Sequence, residues 1–331
     1  MNALRKLLLP FSLIYDGITS VRNAFYNRGL FKSKGYDLPI IGVGNLSTGG
    51  TGKTPMIEYL IELLKDRKLA TLSRGYGRNT SGFRWVAPTD DAGMVGDEPL
   101  QFATKHPEIS VAVDENRQHG ISQILAKPTP PKVILLDDVY QHRAVKPGFL
   151  ILLTAYEKPF FKDYLLPAGD LRESGKGAAR AQAIIVTKCP KITKAEQQEI
   201  IEKIAKYSKA PVFFSQIQYS KMVFGYSKCT LENLKQKSLT VVTGIAKPEY
   251  FTDHLKASGL NFEHLTFRDH HNFTSVEIAR LSKAQTILTT EKDYMRLKNY
   301  SELKEVYYLP ITKAFLENGV TLDKMVLDYV N

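Results

Sequence analysis

The stretch Pro39-Ile40-Ile41-Gly42-Val43-Gly44-Asn45-Leu46-Ser47-Thr48-Gly49-Gly50-Thr51-Gly52-Lys53-Thr54-Pro55 constrains this chain more than any other. An apolar run enters a glycine-rich turn, and Gly-Lys-Thr opens an amphipathic pattern carried by Met56, Leu60, Ile61, Leu63 and Leu64. Strand, glycine turn and helix start in that order form a phosphate cradle. Backbone N–H groups ring the anion, the lysine reaches the β/γ-phosphates, and the threonine hydroxyl ligates magnesium. The strict pattern G-x-x-x-x-G-K-[ST] carries glycine where this chain has Ser47, and the variant K-G-G-x-G-K-T carries lysine where it has Thr48. Gly49, Gly50 and Gly52 still supply the left-handed freedom that a tight nest needs. Pro55 is tolerated because first-turn N–H groups have no intrahelical acceptor. Ser47, Thr48, Gly49, Gly50, Thr51, Gly52, Lys53 and Thr54 are therefore the expected nucleotide loop.

Strand-like runs recur between helical patterns: Ile40–Val43, Leu69–Leu72, Ser110–Val113, Val133–Leu136, Phe149–Leu153, Ala183–Thr187 and Pro211–Ser215. Continuous apolar strands alternating with helices predict a mainly parallel sheet covered on both faces, an α/β fold of the P-loop NTPase kind. A second alternation starts near Leu239–Val242 and predicts a smaller C-terminal α/β domain, with Met222–Tyr226 as a linking strand. The expected division is 1–30 as a basic amphipathic segment, 31–220 as the phosphate-loop domain and 221–331 as the smaller domain. A length of 331 residues allows about two domains. Cys189 and Cys229 have no metal-ligand spacing and fit a reducing compartment.

Several other segments carry chemistry. Val133-Ile134-Leu135-Leu136-Asp137-Asp138 is a buried strand ending in two carboxylates, which beside a phosphate loop hold magnesium or orient its waters; capping of the next turn by Asp138 is the alternative. Gly96-Asp97-Glu98-Pro99 fixes two acids at a helix entrance, either to take a proton from an attacking hydroxyl or simply as an acidic first turn. In Pro167-Ala168-Gly169-Asp170-Leu171-Arg172-Glu173, Arg172 suits charge on a transferring phosphoryl group and Glu173 suits a metal; a surface ion pair is the competing reading. Arg268-Asp269-His270-His271 offers one histidine as a base or as a partner that tunes a carboxylate. A GTPase would need N/T-K-x-D, and Thr187-Lys188-Cys189-Pro190 lacks its aspartate. The 16 Phe and 17 Tyr residues are not interleaved with basic residues as nucleic-acid binding requires, so no nucleic-acid partner is expected.

The N-terminus points to a membrane surface. Leu4, Leu7, Leu8, Phe11, Ile14, Tyr15, Ile18, Val21 and Phe25 recur at helical spacing, and Arg5, Lys6, Arg22, Arg28, Lys32 and Lys34 surround them. The run Leu7–Tyr15 is free of charge for nine residues, well short of the ~20 a bilayer span requires. A signal peptide competes, but no small-x-small cleavage site follows. The reading is a basic helix lying in an anionic interface, with packing on the protein's own core as the alternative. The balance of 45 Lys+Arg against 34 Asp+Glu, net +11, agrees with an anionic partner.

Taken together the motifs resemble one family. Val43–Pro55, Leu72-Ser73-Arg74-Gly75-Tyr76-Gly77-Arg78, Gly96–Pro99, Asp137-Asp138-Val139-Tyr140-Gln141-His142-Arg143, Leu171–Glu173, Phe267–Phe273 and Thr290–Asp293 follow the order found in tetraacyldisaccharide 4′-kinases. The resemblance covers nearly the whole chain. It implies ATP- and Mg2+-dependent phosphorylation of the 4′-hydroxyl of a tetraacylated glucosamine disaccharide 1-phosphate, giving lipid IVA in lipid A biosynthesis. It also implies a peripheral enzyme at the cytoplasmic face of the inner membrane, with two domains closing over the nucleotide; a monomer is expected. By the same resemblance Asp97 is the catalytic aspartate and His270 its partner. Lys53 and Arg172 act on the phosphates, and Thr54, Asp137, Asp138 and Glu173 form the metal environment. On that basis Asp97 accepts the proton while His270 holds it. The family's usual glycine after the two acids is Val139 here. A soluble P-loop ATPase serving as metallochaperone or regulator is the rival reading, and a non-enzymatic nucleotide-binding module at the membrane is another.

Overall fold

The computed structural model describes Arg5 and residues 7–331, and its contacts divide into two compact units. One comprises the chain up to Arg74, Ala112–Ile217 and Lys313–Asn331; the other comprises Gly75–Val111 and Gln218–Thr312. These units are not contiguous in sequence, unlike the expected ranges 31–220 and 221–331. The cause is packing between distant segments. Ala92, Val95 and Leu100 share one apolar cluster with Met295, and the Tyr329 hydroxyl donates to the Ile40 carbonyl at 3.2 Å.

In the first unit the strands are β1 (Ile40–Asn45), β2 (Leu69–Ser73), β3 (Ser110–Val113), β4 (Val133–Asp137), β5 (Phe149–Ala155), β6 (Ala183–Thr187) and β7 (Val212–Tyr219). β3 and β7 each run a little past the boundary of the unit. Their order is β7-β6-β5-β1-β4-β2-β3, and every pairing from β7 to β2 is parallel. β1, β4 and β6 are buried at every position, which explains why they read as unbroken apolar runs rather than alternating ones. β1 lies between β4 and β5, with Val43 opposite Asp137 and Asn45 opposite Leu153. That register brings the acids ending β4 beside the loop that leaves β1.

Helix α1 (Leu9–Asn27) has Pro10 in its first turn and stops before Gly29, whose φ is +74°. Only Ser12 of this helix is buried; Leu4 of the predicted stripe and Lys6 of the basic residues around it lie outside the described residues. Helix α2 (Lys53–Leu63) starts directly after Gly52, at φ +83°, and buries Met56, Ile57, Leu60 and Ile61. Pro55 occupies its first turn, where no intrahelical hydrogen bond is lost.

In the second unit β8 (Met222–Gly225), β9 (Leu239–Thr243), β10 (Phe262–Thr266), β11 (Thr286–Thr290) and β12 (Glu305–Leu309) take the order β8-β12-β11-β9-β10. The pairings are parallel except β8 with β12. Val241 and Leu288 pack with Leu255 and Tyr307, while their neighbours Val242 and Ile287 pack with Ile278 and Leu297. Alternate residues thus fill separate cores on the two faces. Helices α3 (Asp97–Lys105) and α4 (Glu291–Leu297) carry the polar groups described below.

Gly44 shows how tightly β1 is held. A Cβ there would lie 2.7 Å from the Tyr140 Cβ and 2.8 Å from the Tyr140 backbone nitrogen. Gly44→Ala is expected to destabilise the protein by about 1–3 kcal/mol through this overpacking. A thermal melt checks it; an unchanged Tm would mean that the loop after β4 yields freely.

Candidate active site

The loop leaving β1 is stitched to the segment that carries Arg172. Thr48 N donates to Asp170 O at 2.7 Å, Arg172 N donates to Leu46 O at 2.7 Å, and Ser47 bridges Leu171. Thr51 N turns back to Gly49 O at 2.9 Å, with Gly49 at φ +95°. The Thr48 and Thr51 amides are therefore engaged within the protein. The α2 first-turn amides, Lys53 and Thr54 among them, point along the helix axis toward the loop, as anion binding requires.

Three charges meet at this loop. Arg172 donates twice to Asp138, with Nη1 to Oδ2 at 3.1 Å and Nη2 to Oδ1 at 2.9 Å, and its Nη2 also donates to the Asn45 side-chain oxygen. Lys53 Nζ lies 3.5 Å from Asp138 Oδ1. Burial alone would raise the Asp138 pKa, but hydrogen bonds from Arg172 and the charges of Lys53 and Arg172 hold it far below the usual carboxylate range. Asp138 itself is left-handed at φ +48°, a sparsely populated conformation typical of functional turns. Val139 instead packs at Gly42, where a Cβ would meet its Cγ1 at 2.7 Å. The turn's left-handed position is thus the aspartate, not the residue after it.

Glu173 is placed differently from Asp138. Its Oε1 accepts from Arg180 at 2.8 Å and Gln141 at 3.0 Å, and its Oε2 accepts from Asn23 at 3.0 Å. The buried carboxylate is committed to protein partners. Asp137 is also buried, and its backbone carbonyl accepts from Arg117 at 3.3 Å. Among the described residues no three His, Cys, Asp or Glu side chains gather as a metal cage. Mg2+ takes one or two carboxylates and completes its shell with phosphates and water. Asp138 and Thr54 supply hard oxygens of the right kind at the phosphate loop. Burial, then the charge of Arg117, push the neighbouring His142 down to about 4, so it is neutral at pH 7.

Helix α1 is tied into the same machinery by its polar side. Tyr15 donates to the Arg172 carbonyl at 3.0 Å and Asn23 reaches Glu173, while Arg5, ahead of the helix, donates to Asp170 at 2.8 Å. Its apolar side is exposed, as at Leu13 (73%) and Ile18 (65%).

The second unit holds a separate constellation. Asp97 opens α3 after Gly96, whose φ is +93°. The Asp97 side chain is 0% exposed; Arg296 donates to its two oxygens at 2.6 and 2.9 Å, and His270 Nδ1 lies 2.7 Å from Oδ2. Burial would raise its pKa, yet bonds from His270 and Arg296 hold it below the ordinary value. His270 is left-handed at φ +58°. Its other nitrogen, Nε2, lies 3.0 Å from Lys292 Nζ, which also reaches Asp269 at 2.9 Å and approaches Glu98 at 3.7 Å. His271 turns away to Glu277 at 2.9 Å, in the capping box of helix Ser275–Leu281, and stacks on Phe267. Of the two adjacent histidines, only His270 faces Asp97.

Sequence reasoning missed Arg296, Lys292, Asn45 and the partners of Glu173. Lys292 and Arg296 are four apart on α4 and so share a face; that spacing was the available signal. Arg296→Met should leave Asp97 buried without its guanidinium, at a cost of about 3–5 kcal/mol near neutral pH. Because the folded Asp97 pKa is lowered, its stabilising contribution is fully present above the ordinary carboxylate pKa and is lost as pH falls below that value and through the lowered folded pKa. The Tm gap between wild type and variant should therefore narrow toward acid. A gap that stayed constant from pH 7 down to about pH 2 would contradict this.

Comparison with known proteins agrees along the full chain. The family model for tetraacyldisaccharide-1-P 4′-kinase matches residues 4–331. The tetraacyldisaccharide 4′-kinase of Flavobacterium johnsoniae is 46% identical over 336 aligned positions, covering 100% of this chain and 98% of the relative. That of Bacteroides thetaiotaomicron is 42% identical, covering 95% and 90%. The crystal structure of "apo" form LpxK from Aquifex aeolicus in complex with ATP superposes with a TM-score of 0.81 at 32% identity, covering 99% of this chain and 100% of that one.

Proposed function

The chain belongs to the tetraacyldisaccharide-1-P 4′-kinase family, kinases of lipid A biosynthesis, and from that premise we propose how its residues divide the work. The metallochaperone or regulator reading finds no support in these relatives. Lys53 and the first-turn amides of α2 bind the β- and γ-phosphates of ATP. Arg172, released from part of its bond to Asp138, takes charge on the transferring group. Asp138 and Thr54 would hold Mg2+, which when bound neutralises phosphate charge as the leaving group departs. Glu173, with Asn23, Gln141 and Arg180 on its oxygens, keeps the loop of Arg172 in place.

The sequence reading gave proton abstraction to Asp97, and burial argues for a different division. Asp97 is 0% exposed and His270 22% exposed, so the imidazole is the member of the pair that an acceptor can reach. This contrast carries the assignment. With Nδ1–H donated to Asp97, Nε2 holds a lone pair, which accepts from Lys292 until the acceptor 4′-hydroxyl replaces it. The acceptor oxygen attacks the γ-phosphorus, the bond to the β-phosphate oxygen breaks, and the proton passes to Nε2. Asp97 fixes the tautomer and stabilises the imidazolium, without itself taking the proton.

A tetraacylated acceptor cannot leave a bilayer cheaply, since each CH₂ exposed to water costs about 0.8 kcal/mol. Among the described residues no helix is long and apolar enough to cross a membrane. We propose a peripheral, monomeric enzyme at the cytoplasmic face of the inner membrane, with the apolar side of α1 in the interface and Arg22, Arg28, Lys32 and Lys34 near anionic headgroups.

Lys53→Ala is expected to abolish transfer of labelled phosphate from ATP to the glycolipid; intact product formation would overturn the kinase assignment. His270→Gln should lower kcat at least about 100-fold, with ATP affinity kept, and remove the alkaline rise of kcat that a single base gives. Asp97→Asn should lower kcat similarly. If His270→Gln retained the pH limb and Asp97→Asn lost it, the proton would belong to the aspartate. Leu13→Glu with Ile18→Glu should weaken binding to anionic vesicles while preserving turnover on detergent-dispersed acceptor; undiminished vesicle binding would remove α1 from the interface.

A further inference from the structure

One exposed aromatic ring beside His270 has no part in the chemistry above. Tyr76 is 68% exposed, and its ring centroid lies 5.3 Å from that of His270, inclined at 57°. Solvent would ordinarily leave such a side chain on a loose loop, but this loop is built to hold it. Gly75 and Gly77 on either side are left-handed, at φ +70° and +74°. A Cβ on Gly75 would lie 2.9 Å from the Val95 carbonyl oxygen, and a Cβ on Gly96 would lie 3.2 Å from the Tyr76 carbonyl oxygen. Glycine at both positions lets the Tyr76 backbone press against the residue that precedes Asp97. Beyond the ring, Asn79 N donates to Gly93 O at 2.7 Å and Thr80 Oγ1 donates to Met94 O at 2.6 Å. The ring is therefore held in place relative to the Asp97–His270 pair, with one side left open.

We propose that Tyr76 is a platform for the sugar ring of the acceptor, stacking against the C–H face of the glucosamine whose hydroxyl reaches His270 Nε2. The inference rests on His270 as the proton acceptor, because that role fixes which substrate lies next to the Tyr76 ring. A base that takes the acceptor's proton touches the acceptor oxygen. The nucleoside is separated from that oxygen by three phosphates, so a ring in contact with the base meets the acceptor pyranose, not the adenine. The pyranose is suited to it: its axial C–H groups carry partial positive charge and meet the negative face of an aromatic ring, while its hydroxyls remain at the edge for polar partners. Such a contact orients the sugar about its mean plane, so that a single hydroxyl is presented to the base.

Tyr76→Ala is expected to raise the KM for the tetraacylated disaccharide 1-phosphate, dispersed in detergent micelles, by about 5- to 20-fold. The KM for ATP and the pH limb of kcat should stay as in wild type, and Tyr76→Phe should restore the acceptor KM. The deacylated glucosamine disaccharide 1-phosphate, used as a competitive inhibitor, should lose affinity by the same factor in Tyr76→Ala. Loss of affinity for the acylated acceptor alone would assign the ring to an acyl chain and overturn the proposal. So would a raised ATP KM, a shifted pH limb or an unchanged acceptor KM, provided the variant keeps the wild-type Tm. Failure of the His270 assignment is read separately, from full turnover in His270→Gln. If acceptor affinity still falls in Tyr76→Ala, the platform stands without the base.

Discussion

The carboxylate of Asp138, held between Arg172 and Lys53, is the interaction on which the phosphate half-site depends. A loop meant for a triphosphate must gather positive charge before any phosphate arrives, and gathered cations repel one another. Asp138 offsets that repulsion in the free protein, because its position at the end of β4 brings one anion between two cations. Its left-handed backbone aims the side chain back at the loop, and the β1–β4 register supplies the distance. On the proposed assignment, phosphate gives the cations a second anion and frees the carboxylate for a metal. The site is pre-organised by a temporary partner rather than left as an unpaired charge.

The same logic explains the scaffold around it. Arg172 lies in the long segment between β5 and β6, and a segment of that kind places a guanidinium accurately only if its backbone is anchored. Hydrogen bonds to Leu46 and Thr48 anchor it to the nucleotide loop, Tyr15 anchors it to α1, and Arg5, ahead of α1, bonds Asp170. Glu173 adds a buried three-partner node one residue further on. Helix α1 thus has two dissimilar sides. Its polar groups brace the phosphate machinery, and its apolar residues face outward. A helix with one buried residue gains little hydrophobic docking energy of its own. These polar latches therefore carry much of its attachment.

Much of the fold was legible because it rests on local pattern. Runs such as Ile40–Val43 and Val133–Leu136 are apolar at every position because both sheet faces are covered, and the strands lie where those runs are. Gly52-Lys53-Thr54 marked the start of α2. What composition could not convey is which distant segments share a core. Gly75–Val111 carries no signal that Ala92 and Val95 pack with Met295, and the C-terminal helix Gly319–Val330 carries none that Tyr329 bonds to β1. The site divides in the same way. Lys53, Asp138, Arg172, Asp97 and His270 stand in short motifs whose residue types announce chemistry. Arg296 and Gln141 act through contacts made by folding, and Glu173 looked like a metal ligand because sequence does not reveal how many donors surround a carboxylate.

Burial is the property that decides roles in the second half-site, and sequence conveys it least well. Asp97 and His270 are both plausible bases by type. An aspartate with no exposed surface, paired to a guanidinium, is ionised at any pH the enzyme meets, and its lowered pKa makes it a weak proton acceptor. Its value lies in fixed charge. A histidine bonded through Nδ1 to such a charge has its tautomer set and its imidazolium stabilised, while its second nitrogen stays within reach of solvent. The backbone at His270 is left-handed. Two successive side chains part company there, one toward Asp97 and the next toward Glu277. The strain at residue 270 is balanced by the hydrogen bonds formed at both ends of the turn, which is why so unfavourable a conformation persists at the residue best placed for proton transfer.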